Sequence, residues 1–329
     1  MQTPQRPIGS GFGAATTAEE VVAGIDLSGK TAVVTGGYSG LGRETARVLR
    51  AAGARVIVPA RDTSRARVAL SGIDVEIVPM DLLDPASIDA FAVSLLESTP
   101  TLHMLVNNAA IMAVPELTRD ARGYEHQFAT NHLGHFQLTM RLLPALRKAQ
   151  GARVVSVSSL GHRYSPVFFD DPNFERRPYT PWAAYGQSKT ANILFAVALD
   201  QREKSHGIRA FSLHPGAIAD TGLGKYVSHE QLVAAGILDE QGKPVRDPAK
   251  QLKTVEQGAA TQVWCATSPQ LADMGGVYCE NVDVATLRTI QLEKIDMADA
   301  TRLTGVAPYA VDRESADTLW RLSERLLGL

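Results

Sequence analysis

The chain has 329 residues, of which 45% are apolar and 21% charged, and its formal net charge at pH 7 is -2. That balance suits a soluble globular protein with a large core, and it offers neither the basic face that nucleic acid requires nor a polybasic membrane patch. The only cysteines, Cys265 and Cys279, make no disulfide framework; no apolar run reaches spanning length and none follows Arg6, so a cytoplasmic location is expected.

Residues 1–24, rich in Gly, Pro, Thr and Ala, read as a loose arm with one short helix at 18–23, and residues 25–329 as a single domain. Thr31-Ala-Val-Val-Thr35 is a strand-length apolar run followed at once by Gly36-Gly-Tyr-Ser-Gly40-Leu-Gly42. Leu41, Thr45, Val48, Leu49 and Ala52 then repeat at helical spacing until Gly53, and Arg55-Val-Ile-Val58 supplies a second strand. Strand, glycine turn, helix and strand form the context in which bare backbone approaches a pyrophosphate and a helix N-terminus meets its charge. The spacing of Gly36, Gly40 and Gly42 departs from G-x-G-x-x-G. A tight strand–helix turn with no ligand is the plainer alternative, and three glycines in seven correctly flanked positions count against it.

The second strand ends at Ala60, where an acidic residue would bond a ribose 2′-hydroxyl, and Arg61 follows, which suits a 2′-phosphate. This favours NADP(H), with NAD(H) as the alternative and Asp62 as a rival ribose ligand. A third strand over 75–78 ends at Met80-Asp81, a helix over 86–96 starts after Asp84-Pro85, and a fourth strand over 102–106 runs into Asn107-Asn-Ala-Ala110. Asp81 either meets an adenine amino group or caps the next helix, and Asn107 and Asn108 also suit a plain turn. Alternation of strands and helices with no second pattern implies the α/β class: a doubly wound parallel sheet of the Rossmann type.

A long helix is predicted over 120–148, with Asn131-His-Leu-Gly-His-Phe136 near its middle. Asn and Gly are locally unfavourable inside a helix, and such violations mark sites. His132 and His135 have metal-like spacing but lack a third ligand, so no metal is expected. A fifth strand from Ala152 ends in Ser158-Ser159. Thr180 is the predicted N-cap and Pro181 the first residue of a helix that is apolar almost all round over 182–199, hence buried. Tyr185 and Lys189, four residues apart, share one of its faces. An ammonium beside a phenol favours the phenolate, so the Tyr185 pKa is expected to move down toward neutrality, letting it exchange a proton with an alcohol. Taken alone, the pair is better read as a helix-face hydrogen bond or a cation–π contact, and only its company in the chain changes that.

Between Ser159 and Tyr185 lies a loop of substrate-selecting character. It carries His162, read as touching a substrate oxygen or as solvated, and Phe168 and Phe169, read as an apolar wall or as loop packing. A sixth strand covers 208–214, and the polar, Gly- and Pro-containing stretch 222–250, with a short helix near 229–235, reads as a substrate lid, the alternative being an ordinary disordered excursion. A helix over 255–266, a strand at 276–278 and an amphipathic end over 312–327 complete the chain; the end, bearing Leu319, Trp320 and Leu322, covers its own domain by default, with the substrate pocket or a partner subunit as alternatives.

Taken in order, Thr35-Gly-Gly-Tyr-Ser-Gly-Leu-Gly42, Asn107-Asn-Ala109, Asn131-His-Leu-Gly-His-Phe136, Ser158-Ser159, Tyr185-x-x-x-Lys189 and His214-Pro-Gly216 resemble the short-chain dehydrogenase/reductases over roughly 30–329. The resemblance is to the branch of retinol dehydrogenases, WW-domain oxidoreductases and protochlorophyllide reductases. It implies a catalytic tetrad of Asn131, Ser159 (the second serine of its pair), Tyr185 and Lys189, with substrate meeting Ser159, His162 and Tyr185. It implies a nicotinamide cofactor along Gly36, Tyr38, Ser39, Gly40, Leu41, Gly42, Arg61, Asp81, Leu82, Asn108 and Ala109, then Tyr185, Lys189, Pro215, Gly216, Ala217, Ile218 and Thr221. Two positions depart from the pattern: Ala110 replaces a glycine, and Asp220 stands where a nicotinamide-contacting threonine is usual, with Thr221 one later. The implied activity is hydride transfer between NADP(H) and an apolar or aromatic carbonyl or alcohol, by a homodimer or homotetramer. Reduction of a carbon–carbon double bond and non-catalytic NADP(H) sensing are the alternatives.

Overall fold

The structure, a computed structural model, describes residues 3–289 and 304–329. Its eight strands are β1 (Thr31–Val34), β2 (Arg55–Ala60), β3 (Glu76–Pro79), β4 (Met104–Asn107), β5 (Ala152–Val157), β6 (Ile208–His214), β7 (Val277–Glu280) and the two-residue β8 (Asp283–Val284). They form one sheet in the order β3-β2-β1-β4-β5-β6-β7-β8, parallel except for the last pair. The helices are α1 (Ala18–Val22), α2 (Gly40–Ala51), α3 (Thr63–Ala69), α4 (Pro85–Ser98), α5 (His126–Phe128), α6 (Gly134–Lys148), α7 (Pro181–Glu203), α8 (His229–Ala234), α9 (Val255–Thr267) and α10 (Arg313–Leu327).

Strand side chains alternate between two cores. Val33, Ile57, Leu105, Val154 and Ala210 face α4, α6, α7 and α10, while Val34, Val58, Val106, Val155 and Phe211 face α1, α2 and α9. The winding reverses between β1 and β4, which opens a crevice beyond their carboxyl ends, the place where ligands bind in open α/β sheets. None of the described helices is long and apolar enough to cross a membrane.

Two segments differ from expectation. The helix predicted over 120–148 starts only at His126, because the Asp120 carboxylate accepts from Arg122 N and Tyr124 N and folds the preceding residues into a turn. Glu125 then caps the helix by accepting from Gln127 N (2.9 Å) and Phe128 N (2.7 Å), and a π-turn, Ala129–Leu133, separates α5 from α6. The amino-terminal segment is not loose. Gln5 exchanges hydrogen bonds with Tyr278 N and O, and the Asp283 carboxylate accepts from the backbone of Ile8, Gly9 and Ser10. A capping box of Thr17 and Glu20 starts α1, which packs in the core with α9. The carboxyl end covers its own domain as expected: Trp320 stacks on Phe195 with ring centroids 6.1 Å apart and meets Phe136 edge-on at 4.9 Å.

Candidate active site

The turn between β1 and α2 is a cradle of bare backbone. Gly36 and Gly40 have φ of 63° and 49°. A Cβ on Gly42 would lie 2.4 Å from the Gly36 carbonyl oxygen and 2.5 Å from Asn108 Nδ2. Ser39, the N-cap of α2, makes no side-chain bond to the helix, so the first N–H groups stay open toward the crevice. Such a helix end, lined by glycine, fits the shape and charge of a pyrophosphate. Asn108 and Ala109 are more than turn formers: Asn108 Nδ2 donates to Thr35 O (2.9 Å), and Thr35 Oγ1 accepts from Asn108 N (2.9 Å) and Ala109 N (3.0 Å). The Thr35 hydroxyl thus pins the loop after β4 to the glycine turn.

Around the rim, Ala60 is the last residue of β2 and Arg61 follows it, exposed and without an ion-pair partner among the described residues. Asp62 is taken up as the N-cap of α3, accepting from Arg65 N at 2.9 Å. Asp81 accepts from Leu83 N (3.0 Å), while Asp84 caps α4 through Ala86 N (2.9 Å). The Leu82 carbonyl sits where a Cβ on Gly134 would be, at 2.4 Å, which explains that helix-interior glycine. Beyond β6, Gly216 (φ 98°) lets Gln251 and Lys253 approach closely, and Ala217 pairs with both through Gln251 O (2.7 Å) and Lys253 N (3.0 Å). Asp220 is held by Arg246, whereas Thr221 lies against Gly40 and Ile218 against Gly258. Thr221 therefore lies beside the glycine turn.

Asn131, Ser159, Tyr185 and Lys189 converge beyond the ends of β4 and β5. Thr180 caps α7 through Ala183 N and Pro181 is its first residue, as the sequence implies. Ser158 Oγ donates to Lys189 O (2.8 Å) on one side of the chain, and Ser159, on the other, accepts from Gly161 N (3.0 Å) with its hydroxyl close enough to the Tyr185 phenol to act on its ionisation. The Tyr185 ring lies against Gly161, where a Cβ would come within 2.7 Å of it. Lys189 Nζ donates to Val157 O (3.0 Å) and stands 5.6 Å from the Tyr185 ring centroid. Asn131, in the π-turn, donates to Ser188 Oγ (2.9 Å) and Ile111 O (3.0 Å) and accepts from Ile111 N (2.9 Å). π-Turns recur at functional sites because they turn one residue out of helical register.

The electrostatics overturn one expectation. Burial pushes the Tyr185 phenol up, to about 12, with the Ser159 hydroxyl acting the other way. Burial also pushes Lys189 down, to about 7. An amine that loses its proton near neutrality lends little charge to a phenolate, so desolvation decides both groups.

His162 is a second correction. It is fully buried, its Nδ1 lies 2.8 Å from Ser159 O, and Nε2 accepts from Ala307 N at 3.2 Å. Both ring nitrogens are used, so His162 is a strut tying the serine loop to the carboxyl-terminal segment, not a substrate group. Phe168 and Phe174 sandwich the Arg177 guanidinium at 4.2 Å and 3.7 Å, while Phe169 packs against the core, so these phenylalanines hold the loop in place. The aromatic groups that do face outward beside Tyr185 are Trp182 and Tyr164, with centroids 6.2 Å (Trp182–Tyr185) and 5.6 Å (Tyr164–Trp182) apart. Sequence reasoning passed over this pair, and over Thr35 and Ile111; Trp182, three residues before Tyr185, carried a legible signal in its helical spacing.

Sheet order, crevice and glycine cradle define a doubly wound nucleotide-binding architecture. The family model of the short chain dehydrogenases matches residues 30–232. A Streptomyces lividans protein named "Probable oxidoreductase" is 45% identical over 90% of this chain and 97% of its own length. Human retinol dehydrogenase 12 is 35% identical, covering 93% of this chain and 88% of the relative. Among solved structures, an uncharacterised protein from Mycobacterium paratuberculosis superposes with a TM-score of 0.69 at 31% identity, over 95% of this chain and 98% of that one. The RhlG/NADP active-site complex of Pseudomonas aeruginosa gives 0.60 at 26%, over 77% and 94%. The chain belongs to the short-chain dehydrogenase family and is an NAD(P)-dependent oxidoreductase of that family.

Proposed function

We propose that the chain interconverts a carbonyl and an alcohol on an apolar, planar substrate, with NADP(H) as cofactor and Tyr185 as the group that moves the proton. The observation that carries this reading is the meeting of a buried phenol, a serine hydroxyl and a buried lysine at the edge of the glycine cradle. The bound nicotinamide supplies the hydride. Gly36, Tyr38, Ser39, Gly40, Leu41, Gly42, Asn108 and Ala109 would hold the dinucleotide at its phosphates and along the β4 edge, with Asp81 and Leu82 toward the adenine. Pro215, Gly216, Ala217, Ile218 and Thr221 would hold it from the β6 side.

Tyr185 keeps its proton at neutral pH and so is set to give it to an oxygen on which charge develops. Ser159 presents a hydroxyl to the same oxygen, which is stabilisation aimed at the transition state. Lys189, near its own midpoint, can share protons with Tyr185 while holding ribose hydroxyls, and Asn131 fixes Ser188 beside it. NADP(H) is favoured over NAD(H) by Arg61, which lies free at the end of β2 next to Ala60 while Asp62 is engaged as a helix cap. The similarity to the RhlG/NADP complex agrees with it. Trp182 and Tyr164 support a planar apolar substrate, since they offer aromatic surface next to the phenol. The test is absorbance at the nicotinamide band with NADPH and NADH against aldehydes, ketones and apolar alcohols. Turnover is expected with NADPH and aromatic carbonyls; NADH preference overturns the cofactor assignment, and inertness toward every carbonyl and alcohol overturns the reaction class.

A further inference from the structure

The second histidine of Asn131-His-Leu-Gly-His-Phe136 has no part in the chemistry above, yet it touches both halves of the site. His135 is fully buried, with Nδ1 3.0 Å from the Asn131 carbonyl oxygen and Nε2 2.9 Å from Thr35 Oγ1. A carbonyl only accepts, so Nδ1 carries the proton and Nε2 is an acceptor. Thr35 then donates its one proton to Nε2 at 2.9 Å in preference to the Val106 carbonyl at 3.4 Å, and its two lone pairs take the N–H groups of Asn108 and Ala109 at 2.9 Å and 3.0 Å. Every donor has an acceptor in this arrangement, and the reverse tautomer leaves Nδ1 facing a carbonyl with no proton between them. Burial pushes the imidazole down to about 4, which keeps it in this neutral form across the working range.

We propose that His135 is a positioning residue, a two-armed imidazole that ties the carbonyl of Asn131 to the threonine of the glycine turn and so couples seating of the dinucleotide to placement of the asparagine. The coupling rests on the redox reading given above. It follows from geometry: Thr35 fixes Asn108 and Ala109 along the cofactor edge, Asn131 fixes Ser188 beside Lys189, and His135 is the one side chain bonded to both Thr35 and Asn131 among the described residues.

The two arms can be separated. Asparagine places an amide nitrogen near the position of Nδ1, and glutamine places an amide near that of Nε2. His135→Asn should keep the Asn131 arm and lose the Thr35 arm, weakening NADPH affinity roughly tenfold with a smaller effect on kcat, as expected for one lost buried hydrogen bond. His135→Gln should do the reverse, lowering kcat roughly tenfold with a smaller effect on NADPH affinity. His135→Phe should lose both. Steady-state kinetics and a direct NADPH fluorescence titration read the split, and circular dichroism checks the fold. Equal changes in both parameters for the Asn and Gln variants, or none, would show that the ring only fills space and would overturn the coupling. In the unaltered protein, nitrogen chemical shifts should report His135 protonated at Nδ1 alone; an Nε2–H tautomer overturns the proposal even if no variant folds. Should the protein bind NADPH yet turn nothing over, the redox reading falls, and the affinity arm of the titration still decides the coupling.

Discussion

Helix α7 and the excursion over 222–250 are built on opposite principles. In α7 every residue from Ala184 to Asp200 is buried, and each polar side chain among Ser188, Lys189, Thr190 and Asn192 has a named hydrogen-bond partner. In the excursion, α8 has no buried residue, and the segment is closed at its base by the Asp220–Arg246 ion pair and the Ala217 pairing with Gln251 and Lys253. The lesson is a division of labour. Proton transfer needs groups held within a fraction of an ångström, which only dense packing supplies. Substrate choice and release tolerate, and use, a part of the chain with few buried contacts.

The comparison can be broken most sharply at Tyr185. Tyr185→Phe keeps the ring and its packing and removes only the phenolic hydroxyl, so turnover should fall by roughly 10²- to 10⁴-fold while NADPH binding, read by fluorescence, holds. Loss of both together would make Tyr185 a structural tyrosine. Next in size is Gly161→Ala, whose methyl would sit 2.7 Å from the Tyr185 ring. Displacing that ring should cost on the order of 10²-fold in kcat with little change in the thermal midpoint.

A pH experiment sharpens the same contrast. Lys189 has its pKa lowered to about 7 in the fold, against the ordinary lysine value in the unfolded chain. Above pH 7 the unfolded chain therefore binds more protons than the folded one, and stability gains up to about 1.4 kcal/mol per pH unit from this group as pH rises toward the ordinary lysine value. Denaturation midpoints across that window should climb less steeply in Lys189→Met than in the unaltered protein. The smallest effect on stability belongs to the excursion. Arg246→Ala breaks a half-exposed ion pair and should cost under about 1 kcal/mol, yet raise the KM for substrate more than that for NADPH. A large drop in melting temperature would show that the excursion is part of the core.

Much of this was legible in the chain itself. The apolar runs of β1, β2 and β5, the glycine turn, Thr180 and Pro181 at the start of α7 and the two-sided serine pair Ser158-Ser159 are local signals, set by periodicity, caps and backbone freedom. The side chains that join distant segments were not legible. Gln5 meets Tyr278 273 residues later, Thr35 meets His135 100 residues later, and Asp283 collects the backbone of residues 8–10. His162 looked like a loop residue and became a buried strut because Ala307 came back to it. The Tyr185 and Lys189 pKa values went with burial and not with their four-residue spacing. A sequence specifies which groups are neighbours along a helix, whereas the dielectric around them, and the partner that takes each proton, depend on what the rest of the chain packs against them.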